Sequence, residues 1–267
     1  MRTNYVDGII IKYLDQDADA AKLIIDTCRK TVQINKEKWG VVAPKDCQVY
    51  VMRSWQWYLW NAAPPLWKVL LVLTFPFWYF RVRKIWPIAG GWEQQFGKRH
   101  TIGVKTPQVL EASDRSHGAQ IFVPESGTEQ KVEHITCHEL THAFVSANLL
   151  PNWLKEGLSM LAVDYYAGHQ TVQQGTLESL KDYSGMFNSE LERRINIRDQ
   201  EAIIYLYTRG YWVTRYLDEV YPDLLPELLA ERKSQDQLEG GIADRLGMSR
   251  VQFWNQIDGI VIEHYSD

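Results

Sequence analysis

Between Cys47 and Trp92 the chain carries no Asp or Glu, and no other feature restricts its fold as much. The charges there are Arg53, Lys68, Arg81, Arg83 and Lys84, a net of +5. The whole chain has net charge -4, so the remainder carries -9 (-4 minus 5). Seven of the 11 tryptophans (Trp55, Trp57, Trp60, Trp67, Trp78, Trp86 and Trp92) lie in this one stretch. Ala62 to Phe80 holds a single charge, Lys68, and approaches the length of about 20 residues that a helix needs to cross a bilayer. A crossing would, however, put the strand-like segments before and after it on opposite sides of the bilayer, and those segments must pair in one sheet. Pro64, Pro65 and Pro76 also interrupt any continuous helix. The segment must therefore return to the side it left. Two readings stay open for residues 55–92. One is a monotopic hairpin of two short helices around Pro76, with Arg81-Val82-Arg83-Lys84 against anionic headgroups. The other is an apolar lid, helical pair or dimer interface packed on protein.

Composition narrows the class. At 45% hydrophobic and 23% charged residues, the chain can build a core and wholesale disorder is excluded. A length of 267 residues fits one large domain or two small ones. The negative balance argues against nucleic acid as a partner, and five basic charges in an apolar stretch are too few to track phosphates. Three cysteines without paired spacing fit a reducing compartment. The start, MRTNYVDGIIIKYLDQD, has no basic region followed by a long apolar run, so no secretory signal is read. The expected location is cytoplasmic, with peripheral or monotopic membrane association depending on residues 55–92.

The pattern of elements changes midway. Residues 5–14 read as one Ile- and Tyr-rich strand. Ala20 to about Lys38 has helical spacing and is stopped by Gly40 and Pro44. Cys47–Met52, His100–Val104 and Ala119–Val123 read as strands, with Gly90-Gly91 as a loop. The second half is helical, with helices expected over 129–150, 153–167, 200–221, 224–233, 238–246 and 249–265 and a turn-rich stretch over 177–188. The expected class is α+β: a small amino-terminal α/β sheet layer (1–54 and 93–125) packed on a helical carboxy-terminal half (126–267). The Trp-rich segment 55–92 is a helical insertion, and the whole is taken as one domain.

Chemistry concentrates in His138-Glu139-Leu140-Thr141-His142. Histidines four apart share one helix face, so both imidazoles can reach one zinc ion. Glu139 lies about 100° further round and can face a water without being a ligand. By chance such a pattern arises in roughly one sequence of this kind in a hundred, so its context matters. Catalytic zinc takes three protein ligands and keeps one open position. Glu156 stands 14 residues after His142 on the next expected helix, beyond a break at Pro151, and completes a His₂Glu set.

HELTH followed by LPNWLKEGLSMLAV resembles the gluzincin metallopeptidases, in particular the peptidase MA-like group with its HExxH helix and downstream W-x-x-E-G helix. Tyr207-Thr208-Arg209-Gly210-Tyr211 with Arg215-Tyr216-Leu217 is similar to that group's tyrosine-rich helix, and Leu246-Gly247-Met248-Ser249 with Phe253-Trp254 to its closing helix pair. The resemblance covers most of 100–267 and departs in the Trp-rich segment. It implies a zincin-like fold and a zinc-dependent peptidase acting on a peptide or protein. His138, His142 and Glu156 would be the zinc ligands and Glu139 the general base, later the acid to the leaving amine. Tyr207 would be the first candidate to stabilise the oxyanion and Tyr211 the second. The resemblance also makes Ala119–Val123 a candidate substrate-binding edge strand, against an ordinary interior strand.

Neighbouring residues have plainer readings. His134 extends the stripe of His138 and His142, but three such rings span about 12 Å, too far for one ion, so it is read as a supporting or surface group. Cys137 is read as buried packing, and Asp164 as either an imidazole-orienting carboxylate or a cap. The competing function is a non-catalytic zinc-stabilised module that presents the Trp-rich segment to a membrane or protein; it lacks an evident fourth ligand. No GxMEN-like signature supports aminopeptidase action. Cleavage specificity and oligomeric state stay open.

Overall fold

The structure is a computed structural model that describes residues 1–113, 117–183 and 200–266. It is α+β, with a five-stranded mixed sheet near the amino terminus and mostly helices elsewhere. The chain divides into two compact units. One comprises Met1–Ile34, Val42–His117 and Pro124–Phe144; the other comprises Asn35–Val41, Gly118–Val123 and Val145–Asp267.

The sheet of the first unit has the order β1-β2-β3-β5-β4, with β1 Arg2–Val6, β2 Ile9–Tyr13, β3 Cys47–Met52, β4 Gly91–Phe96 and β5 Arg99–Lys105. The single strand expected over 5–14 is a hairpin. Asp7 and Gly8 both take positive φ (47° and 86°), the conformation of a two-residue type I′ turn, which fits the twist of antiparallel strands. β2, β3 and β5 run parallel, while β4 returns antiparallel to β5 as an edge strand. β4 replaces the expected loop: Gly90-Gly91 is where the chain enters the sheet, so Trp92 belongs to a strand and not to the insertion.

Helix α1 (Ala18–Trp39) follows β2 and buries Ile24 and Cys28. The Trp-rich segment forms three helices where two were expected: α2 (Trp55–Ala62), α3 (Pro65–Leu73) and α4 (Phe75–Ile85). The Ser54 hydroxyl accepts from Trp57 N–H and caps α2. Ala63, ahead of Pro64, is extended and ends it. α2 is core: the buried Tyr58 hydroxyl donates to the Thr101 carbonyl at 2.9 Å, and its ring joins Tyr50, Met52, Trp55, Leu59 and Phe96 in one cluster. Trp57, Trp78, Trp86 and Trp92 pack against that cluster. α3, by contrast, buries none of its residues, and much of α4 is also exposed. Helix α5 (Pro107–Ser113) and helix α6 (Thr128–Val145) complete the unit. No helix among the described residues is long and apolar enough to cross a membrane.

The second unit is built on α7 (Asn152–Ala167) and α9 (Gln200–Val220), with α8 (Ser179–Tyr183), α10 (Leu224–Leu229), α11 (Gln235–Arg245) and α12 (Arg250–Tyr265). Ser234 with Gln237 and Ser249 with Gln252 form capping boxes that start α11 and α12. The buried pair Arg209–Asp258 (2.8 Å) ties α9 to α12, and the Tyr205 hydroxyl donates to the same carboxylate. Ala119–Val123 is not a strand of the sheet. Gly118–Val123 clusters with this second unit, its first residues are in a 3₁₀ turn, and Phe122 makes one isolated antiparallel bridge to Val172. α6 stops at Val145, short of the expected end at 150, where Asn148 N–H caps the Val145 carbonyl and its buried amide donates to Leu229 O. Residues 184–188 of the expected turn-rich stretch lie outside the described residues.

Candidate metal centre

α6 positions His138, Glu139 and His142 within a little over one turn. The helix is anchored by buried residues, Val132, Thr136, Cys137, Leu140, Thr141, Ala143 and Phe144. That leaves His138 and Glu139 half-buried and His142 buried. The two imidazoles meet edge to face, with ring centroids 4.6 Å apart, and their Nε2 atoms are 3.0 Å from each other. With metal–nitrogen bonds of about 2.0–2.1 Å, two nitrogens at tetrahedral corners stand roughly 3.3 Å apart, so the observed pair fits two corners of one coordination sphere.

Glu156 is the third member of the group. His138, His142 and Glu156 each offer one ligand atom, and these atoms all lie within 4.8 Å of one another. Two imidazoles and a carboxylate are a donor set for a divalent cation of intermediate softness, and the group could hold such an ion.

The glycine after Glu156 has a packing role. A Cβ on Gly157 would stand 2.7 Å from the Gly210 carbonyl carbon, and one on Gly210 would stand 3.2 Å from the Trp153 carbonyl carbon. α7 and α9 therefore touch backbone to backbone, directly beside Glu156. This gives a physical reason for the Glu-Gly and Arg-Gly pairs that the sequence displays at 156–157 and 209–210.

The surrounding residues sort themselves. Cys137 points into the core, and burial pushes its thiol up to about 12, so it is packing as expected. His134 lies 3.7 Å from Glu125, in the segment before α6, and is not among the three converging donors. Asp164 does not reach out to an imidazole. Its carboxylate accepts from Thr171 N–H (2.7 Å), Thr171 Oγ1 (2.6 Å) and the Tyr211 hydroxyl (2.6 Å), closing the loop after α7. That bond, with a second from Arg215, occupies the Tyr211 hydroxyl. Tyr207 is half-buried on α9.

One neighbour of the site was missed in the sequence. The entry of β4 runs against α6: Gly90 and Gly91 pass over Ile135 and Glu139 so closely that a Cβ on either would have to displace those side chains. The signal was present as the Gly-Gly pair, which reads as a loop when no packing partner is known. Comparison with protein-family models, with curated proteins and with solved structures found no match.

Proposed function

We propose that the protein is a zinc-dependent peptidase of zincin-like type, hydrolysing peptide bonds in a peptide or protein substrate. The reading rests on one observation: ligand atoms of His138, His142 and Glu156 within 4.8 Å of one another, with Glu139 next in sequence to the first of them. His138, His142 and Glu156 would hold the zinc, which when bound supplies Lewis acidity and a water of lowered pKa.

The remaining chemistry belongs to the chain. Glu139 accepts the proton of the attacking water and delivers it to the departing amine. The edge strand β4 offers main-chain groups for an extended substrate, in place of the segment 119–123. Its entry runs against Glu139, which supports a substrate strand lying beside the proposed base. Tyr207 is the first candidate to stabilise the oxyanion; Tyr211, whose hydroxyl bonds Asp164 and Arg215, is the second.

The test is metal analysis combined with a peptide-library cleavage profile for the wild type and Glu139→Gln. The variant should retain stoichiometric zinc and lose hydrolysis by about 10²–10⁴-fold. Cleavage at the wild-type rate would remove Glu139 from the mechanism. Zinc binding without cleavage in either protein would instead support a closed, non-catalytic zinc module.

A further inference from the structure

The Trp-rich segment separates into a buried helix and an exposed pair, and the exposed pair is built like a membrane-contacting hairpin. On α3, Leu66, Val69, Leu70 and Leu73 follow i, i+3, i+4, i+7 spacing, and all are exposed. On α4, beyond the turn at Thr74, Phe77 and Phe80 are exposed as well. Phe77 is 86% exposed, Leu66 72% and Leu73 69%, and side chains of this kind gain most from leaving water. The opposite side of the pair is anchored. The Trp78 indole donates to Leu71 O at 3.0 Å, Trp78 meets Trp55 edge to face with centroids 5.7 Å apart, and Trp67 meets Phe96 of β4 edge to face. The exposed face is therefore held outward by a packed inner face.

Charge is graded along the pair. The turn around Leu73, Thr74 and Phe77 is free of charge, whereas exposed Arg83 and Lys84 follow one to two turns later on α4. Lys84 lies seven residues after Phe77, on the same helix face. Lys68 sits 5.2 Å from the Trp60 ring near the base. No carboxylate occurs anywhere from Cys47 to Trp92, in a chain whose remainder carries -9.

We infer that α3 and α4 dock the protein onto an anionic lipid bilayer, with the apolar turn in the acyl region and Arg83, Lys84 and Lys68 at the headgroups. α3 is 9 residues long, or about 13 Å. That is less than half of a hydrocarbon core of about 30 Å, so the contact is with one leaflet. Charge complementarity selects a bilayer: an apolar tip with a cationic base matches the acyl-to-headgroup order of an anionic leaflet.

The test is flotation of the full chain with phosphatidylcholine vesicles, with and without phosphatidylglycerol. The wild type should float with the anionic vesicles and much less with the neutral ones. Leu73→Asp and Phe77→Asp, both at exposed positions, should each weaken partitioning roughly tenfold or more while leaving zinc content unchanged. Arg83→Glu combined with Lys84→Glu should remove the preference for anionic lipid. Failure of the wild type to float with anionic vesicles would overturn the inference, as would unchanged flotation of both Asp variants. Concentration-dependent self-association broken by Leu73→Asp, without vesicle binding, would assign the face to a second copy of the chain and also overturn it.

Discussion

Gly91 of β4 and Glu139 of α6 are in contact with no space for a side chain between them: a Cβ on Gly91 would stand 3.0 Å from Glu139 Cδ and 2.8 Å from Ile135 Cγ2. The edge of the sheet thus sets where the Glu139 carboxylate can be. Gly91→Ala must displace either the strand or the carboxylate. The expected result is a loss of about 10²-fold in hydrolysis, the scale of a misplacement near 1 Å. Zinc content should stay at the wild-type level, because His138 and His142 are not the residues that Gly91 touches. Equal activity of the two proteins in a peptide-cleavage assay would show that β4 does not position the base.

The Gly157–Gly210 contact makes a different prediction for α7. Gly157→Ala inserts a methyl where the backbone of α9 already lies, at a cost of about 1–3 kcal/mol for overpacking. Because Glu156 precedes this contact, zinc affinity should fall along with stability. Thermal unfolding and equilibrium dialysis against zinc would read the two effects separately. Unchanged values for both would mean that the helices separate freely at this point.

Arg209 and Asp258 form a buried ion pair whose side chains are 0% and 2% exposed. Asp258→Ala would take its carboxylate partner from a buried guanidinium and remove the acceptor of the Tyr205 hydroxyl. A destabilisation of about 3–5 kcal/mol is expected, measured by chemical denaturation. A loss below about 1 kcal/mol would place the pair with weak surface ion pairs.

How far the sequence reached depended on whether a signal was local. The His138–His142 spacing is a property of one helix turn, so the site helix and its two imidazoles were legible directly. Glu156 was legible because Pro151 marks the break before its helix. The hairpin Arg2–Tyr13 was missed although Asp7-Gly8 is a strong turn signal, because the apolar run on both sides looked continuous. β4 was missed because GWEQQF has no β-branched residue and its place is decided by pairing with β5 and by contact with α6. Ala119–Val123 shows the converse, since β propensity is overridden where one bridge to Val172 is all the pairing the segment finds. The seven tryptophans between Cys47 and Trp92 form one stretch in the sequence. In three dimensions Trp55 is in a core cluster and Trp57, Trp78, Trp86 and Trp92 pack on it, while Trp60 is exposed and the partly exposed Trp67 meets Phe96 edge to face. Composition cannot make that division, because it depends on which helix covers the sheet.

The burial of Asp164 sets the sign of a pH dependence. Burial raises its pKa above the ordinary 3.8, outweighing the hydrogen bonds from Thr171 and Tyr211 that favour the charged form. A carboxyl whose folded pKa is raised binds its proton more tightly when folded. Its contribution to stability is therefore fully present below the unfolded value and is lost as pH rises through the folded value. The wild type should lose part of its stability as pH climbs from the ordinary carboxylate range toward neutrality. Asp164→Asn, which cannot ionise, should lack that component. Denaturation midpoints of the two proteins, compared from about pH 4 to pH 7, should diverge in favour of the variant as pH rises. Parallel curves, or divergence in favour of the wild type, would mean that the Thr171 and Tyr211 hydrogen bonds outweigh the cost of burying the charge.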